Sequence, residues 1–132
     1  MAQLHAINSP ARRDLAGPAL RAFFNITGRW GLDTEQERVL LGSPGRSTFF
    51  RWKRDRAGQL PHDALERISY VLGIYKALHL IFSNERQADE WIRRPNAAPL
   101  LGGRPALDRM LGGQVAALFV VRQYLDAQRG WG

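Results

Sequence analysis

The sequence predicts an all-α, multi-helix bundle. Apolar residues recur at spacings of three and four, no stretch alternates apolar and polar over more than a few residues, and capping residues stand where several stripes begin. Ser9-Pro10 reads as an N-cap with proline in the first turn, followed by Leu15, Ala19, Ala22, Phe23 and Ile26 in helical register. Gly17-Pro18 interrupts that stripe, so the ordered helix is expected from Pro18 and is expected to end at Gly28. Asp33 with Gln36 has capping-box spacing, and the short segment Thr34 to Leu41 then turns Val39 and Leu40 inward. Gly42 stops it, and Ser43-Pro44 is expected to restart a helix through Lys53.

From Pro61, the stripe Leu65, Ile68, Val71, Leu72, Tyr75, Leu78, Phe82 predicts about six helical turns, with a break expected at Gly73. Asn84 with Gln87 opens a further helix carrying Ala88, Trp91 and Ile92, which must stop before Pro95. Residues 95–105, rich in proline and glycine, form the one obvious joint, dividing the chain into regions 1–94 and 95–132. A short helix from Pro105 to Leu111 and a last one from Gln114 to about Gln128 complete the order. The last is apolar almost all round between Val115 and Val121, so more than one neighbour must cover it.

A chain of 132 residues is long enough to bury its own core without metal or disulfide. It has no cysteine, which excludes a disulfide scaffold and thiolate chemistry. Met1 to Pro10 lacks the charged-then-apolar pattern of a secretory leader, and no stretch approaches the length of a membrane span, so a soluble cytoplasmic protein with no membrane partner is expected. The formal net charge of +7 is uneven: residues 46–60 carry five basic against one acidic side chain and residues 91–132 six against two, while residues 61–90 are net acidic. Such a balance attracts polyanions, nucleic acid first.

The segment Asp33 to Arg56 has the form of a helix-turn-helix, whose second helix lies in the major groove. Phe49 and Trp52, three apart, would form the inner face of that helix. Arg46, Ser47, Phe50 and Arg51 would face outward, with Lys53, Arg54 and Arg56 near the phosphate backbone; with Thr48 these are the DNA-binding candidates. An arginine fork can bond guanine O6 and N7 together. An outward Phe50 could touch a thymine methyl, meet a second subunit or be partly buried. An ordinary amphipathic helix in a basic bundle would show the same spacing.

Enzyme signatures are missing. His5, His62 and His79 have no second ligand at metal-site spacing, and His79 reads as a helix-surface or core-edge residue. Gly102-Gly103-Arg104 lacks the context of a phosphate loop, and Asp63-Glu66 and Asp89-Glu90 read as helix-turn charges. No catalytic residue, metal site or cofactor is expected. At the far end, Trp131 follows the expected helix-ending glycine, where it would either anchor a partner or pack or fray on its own domain.

The ordered set Trp30-Gly31-Leu32, Thr48-Phe49-Phe50-Arg51-Trp52, Leu65-Glu66-Arg67-Ile68, Ala77-Leu78 to Phe82, and Trp91-Ile92 with Pro95-Asn96 resembles the Xre/MbcA/ParS antitoxins. Pro99 to Pro105, Asp108, Gly112-Gly113, Val121-Arg122 and Tyr124-Leu125 resemble the toxin-binding region of that family, so the likeness spans roughly residues 18–130. It implies a partner of a RES-domain toxin, an enzyme that consumes NAD or transfers ADP-ribose. It also implies a dimer that covers the toxin's active site and binds double-stranded operator DNA at its own promoter. The toxin-contacting candidates it implies are Asn96, Gly102, Pro105, Arg122, Tyr124 and the tail Arg129, Gly130 and Trp131. One departure stands out: the family's phenylalanine shortly after Pro-Asn is replaced by Leu100 or Leu101. A stand-alone helix-turn-helix regulator without a toxin, and a helical adaptor that binds protein alone, are the competing expectations.

Overall fold

The computed structural model describes the backbone of residues 2–130 and the side chains of residues 15–129. Among them are seven α-helices: α1 (Ala2–Arg29), α2 (Thr34–Leu40), α3 (Arg46–Asp55), α4 (His62–Ile81), α5 (Glu85–Glu90), α6 (Ala106–Met110) and α7 (Val115–Gly130), with a 3-10 turn at Trp91–Arg93 after α5. The all-α bundle is as expected, but several boundaries differ for physical reasons.

Helix α1 runs through both Ser9-Pro10 and Gly17-Pro18, so neither proline opens it. A proline inside a helix removes one backbone bond, and the turns on either side of Pro18 are held by burial of Ala16 before it and Leu20, Phe23 and Phe24 after it. Gly28 stays helical; the stop comes at Gly31, which takes φ +67° while Leu32 N–H bonds Thr27 C=O and Gly31 N–H bonds Gly28 C=O. That is a Schellman arrangement. Arg93 donates to the carbonyls of Trp30 and Gly31 at 2.9–3.0 Å, tying the end of α1 to the 3-10 turn.

The capping box of α2 is present, with Asp33 accepting from Gln36 N–H and Gln36 accepting from Asp33 N–H. Leu40 and Leu41 are buried, and Val39 only half so. Ser43 has φ +57°, which disqualifies it as the cap of α3; Gly45 takes that place and the helix starts at Arg46. The expected break at Gly73 does not occur. Its missing side chain instead lets Arg122 of α7 lie against α4, where a Cβ would collide with the Arg122 side chain.

Helix α4 is the centre of the bundle, packed against α1, α5 and α7. Arg67, 8% exposed, donates to Asp63 on its own helix and to Gly113 C=O at 3.0 Å, and Tyr70 meets Phe119 edge-on. Arg67 with Gly113, Tyr70 with Phe119 and Gly73 with Arg122 step forward along both segments, so α7 runs parallel to α4. One apolar cluster joins all regions, from Leu20 and Phe23 through Ile68, Ile74 and Leu78 to Ile92, Met110, Leu118 and Leu125. Residues 95–105 form a closed loop, pinned by Asn96 N–H to Arg104 C=O, Gly103 N–H to Asn96 C=O and buried Leu101. No helix among the described residues is long and apolar enough to cross a membrane.

Leu118 is fully buried between α7 and its neighbours, whereas Leu80 is 58% exposed. We therefore expect Leu118→Ala to lower unfolding free energy by about 2–5 kcal/mol and Leu80→Ala to change it by less than about 0.5 kcal/mol. Denaturant titration of both variants checks the pair.

Candidate nucleic-acid interface and partner surface

The inner face of α3 is built as its spacing requires, with Phe49 fully buried and Trp52 3% exposed. Phe24 of α1 meets Phe49 edge-on at 5.9 Å, and Phe49 meets Phe50 at 5.1 Å and 73°. On the outer face Arg46, Ser47, Phe50, Arg51 and Arg54 are exposed, and Thr48 is half-buried. Arg46 lies 3.2 Å from Glu35, and Arg54 pairs with Asp55 at 2.8 Å. The hydrogen bond from Arg38 holds the Glu35 carboxyl below its ordinary value, and that from Arg54 does the same to Asp55. Exposed pairs of this kind contribute little because solvent screens them, so both arginines can exchange carboxylate for phosphate.

Lys53 and Arg56 are placed differently from expectation. Lys53 turns back to Glu37 at 2.6 Å and sits 5.5 Å from the centre of the Phe24 ring. The Arg56 guanidinium stacks 4.7 Å from the same ring, and its Nε donates to Lys53 C=O. Positions 49, 52 and 53 share one helical stripe, so the register of α3 already assigns Lys53 to the inner edge, whereas Arg56 is turned back by its left-handed backbone, φ +51°, just beyond the helix.

Glu37 is the residue that sequence reasoning passed over. It is 3% exposed and accepts from Thr27 Oγ1 of α1 at 2.5 Å as well as from Lys53 Nζ of α3. The signal was available, since Glu37 precedes Leu40 and Leu41 by three and four on the inward face of α2. A buried carboxylate is tolerated only when paired and hydrogen-bonded, so this one ties three helices together.

The C-terminal candidates do not converge on one spot. Asn96 Oδ1 accepts from Ala98 N–H, and Gly102, at φ +59°, turns the closed loop. Pro105 caps α6 half-buried, and Tyr124 stacks with Trp91 at 6.4 Å and 21°. Arg122 points elsewhere: it crosses Gly73, lies 3.5 Å from Asp126 and lines a groove of about 1080 Å³ between α1 and α4. Leu15, Pro18, Ala22, Leu65 and Leu72 supply apolar walls of that groove. Phe119 is 45% exposed on α7, so part of this apolar helix is left without cover by the described residues. Arg129 pairs with Asp126 at 3.4 Å, Gly130 is the last helical residue, and Trp131 lies outside the described residues. His62 and His79 stand at opposite ends of α4, with His79 half-buried and 2.8 Å from Asp89.

Two family models match the chain: the antitoxin Xre-like helix-turn-helix domain over residues 9–73, and the antitoxin Xre/MbcA/ParS C-terminal toxin-binding domain over residues 77–130. The chain is also 52% identical over 124 residues to the uncharacterized protein y4oB of Sinorhizobium fredii, a match covering 93% of this chain and 94% of that protein. The two models meet inside α4.

Removing the buried carboxylate should loosen α3 more than removing one of its surface partners. Glu37→Ala is expected to lower stability by about 1–3 kcal/mol, and Glu35→Ala to leave it nearly unchanged. Thermal unfolding at neutral pH measures the difference.

Proposed function

The chain belongs to the antitoxin family that joins an Xre-like helix-turn-helix domain to an Xre/MbcA/ParS C-terminal toxin-binding domain, and from that membership we propose that it is the antitoxin of a type II toxin–antitoxin pair. It holds a RES-domain toxin, an enzyme that consumes NAD or transfers ADP-ribose, by laying its C-terminal region over the active site. With the outer face of α3 it binds operator DNA at its own promoter, so that the pair regulates its own synthesis.

The observation that carries this reading is the order of the two matched regions along one chain, joined within the single helix α4. The exposed Arg46, Ser47, Arg51 and Arg54 support the DNA half. Arg46 and Arg51 can bond base edges, while Arg54 at the end of α3 suits a phosphate. For the toxin half, inhibition needs only steric exclusion. The Trp91–Tyr124 stack, the closed loop around Asn96 and Gly102 with Pro105, and the tail from Arg129 to Trp131 are the surface proposed for it.

Arg122 faces the other way and fits a different task. The groove it lines has apolar walls with Glu66, Lys76 and Arg122 among its polar groups, so each copy presents both signs of charge to an identical partner. An isologous dimer needs such a self-complementary patch. The chain is therefore proposed to act as a homodimer through this groove, with the toxin bound elsewhere.

Arg46→Ala and Arg51→Ala should each weaken binding to the duplex upstream of the gene by about 1–3 kcal/mol if each reads a base; unchanged affinity in a titration would point to an adaptor that binds protein alone. Ending the chain at Gln128 should weaken rescue of cells that co-express the neighbouring toxin while leaving duplex binding intact. Undiminished rescue would remove the tail from the mechanism, and duplex binding with no toxin neutralised would leave a stand-alone regulator.

A further inference from the structure

We propose that Phe50 reads a methyl group: in the bound duplex its ring covers the C5 methyl of a thymine on the floor of the major groove, making a thymine a requirement of the operator at that step. The inference rests on the DNA-binding reading above and adds to it the chemical feature recognised.

Phe50 is 46% exposed in the middle of the outer face of α3. The residues four and three before it and one and four after it are Arg46, Ser47, Arg51 and Arg54, all exposed and all polar. The ring thus stands alone among hydrogen-bonding groups and does not line the groove between α1 and α4. Among the described residues the other large exposed apolar side chains, Leu15, Leu80 and Phe119, belong to other helices. An isolated ring of this kind offers no continuous apolar strip to a protein partner.

Its conformation is also held in advance. The edge-on contact with buried Phe49, itself edge-on to Phe24, restrains the ring before any ligand arrives, so little side-chain entropy remains to be lost on binding. A phenyl ring cannot donate to phosphate or bond the polar base edges. Among the groups displayed in the major groove, the thymine methyl is the apolar one, and contact with it is a use to which phenylalanine is suited.

The test takes the upstream duplex that the protein protects and replaces its thymines one at a time by deoxyuridine, which deletes only the methyl. Wild-type protein should lose about fourfold in affinity at one position per half-site, the worth of one buried methyl group. Phe50→Ala should bind the native duplex more weakly and be indifferent to that replacement, while Phe50→Leu should keep part of the discrimination. Thermal unfolding confirms that each variant is folded. Wild-type protein that binds the duplex yet ignores every replacement overturns the methyl contact, as does a Phe50→Ala variant that remains as sensitive to the replacement as wild type. If wild-type protein binds no upstream duplex at all, the DNA-binding reading itself falls, and this inference with it.

Discussion

A carboxylate removed from water must be answered by donors, and at Glu37 the answer comes from two other helices. Thr27 donates from α1 and Lys53 from α3, so the three helices of the helix-turn-helix region share one buried polar contact. Apolar packing of Phe24, Phe49 and Trp52 supplies most of the burial, but it is tolerant of rotation and slippage. The hydrogen-bonded carboxylate is directional and favours one setting of α3. With α3 so fixed, Arg46, Ser47, Phe50 and Arg51 face solvent together, and Lys53 and Arg56 are committed to the inner edge.

The second constraint is the length of α4. Its N-terminal end approaches the turn between α2 and α3, where a Cβ on Gly42 would lie 2.8 Å from Asp63 Oδ2. Its C-terminal end leads into α5, where Asp89 meets His79. Twenty helical residues separate these ends, or about 30 Å of helix. Helix α7 runs parallel to α4, from the turn at Gly113 beside Arg67 to Gly130. A duplex gripped by α3 and a protein held at the Trp91–Tyr124 stack would meet different surfaces, although the turn into α7 returns to the α2–α3 end, where Arg67 lies beside Gly42 and donates to Gly113 C=O.

Local chemistry was legible in the sequence, and distant packing was not. The capping box of Asp33 and Gln36, the Asn84 cap that accepts from Gln87 N–H, and the buried pair Phe49 and Trp52 each depend on residues within one or two turns. The passage of α1 through Gly17-Pro18 depends on what α1 packs against, and the use of Gly73 as a seat for a side chain depends on Arg122, 49 positions further on. Ser43 failed as a cap because the stop of α2 uses up a left-handed residue there, a backbone conformation that residue identity does not announce. At the candidate interface, the outward set followed from register alone. The inward turn of Lys53 was equally available from register and was obscured by its charge, which invites a phosphate partner. Glu37 needed the tertiary structure to reveal that both of its partners come from other helices.

Two surfaces of one chain serving two ligands is the central claim, and the mass of a mixture tests it most directly. The purified chain, the product of the neighbouring gene and the upstream duplex would be combined and weighed in solution by light scattering during size-exclusion chromatography. A single species containing all three components is the expected result. Separate binary complexes that exclude one another, or no complex with either ligand, would contradict it.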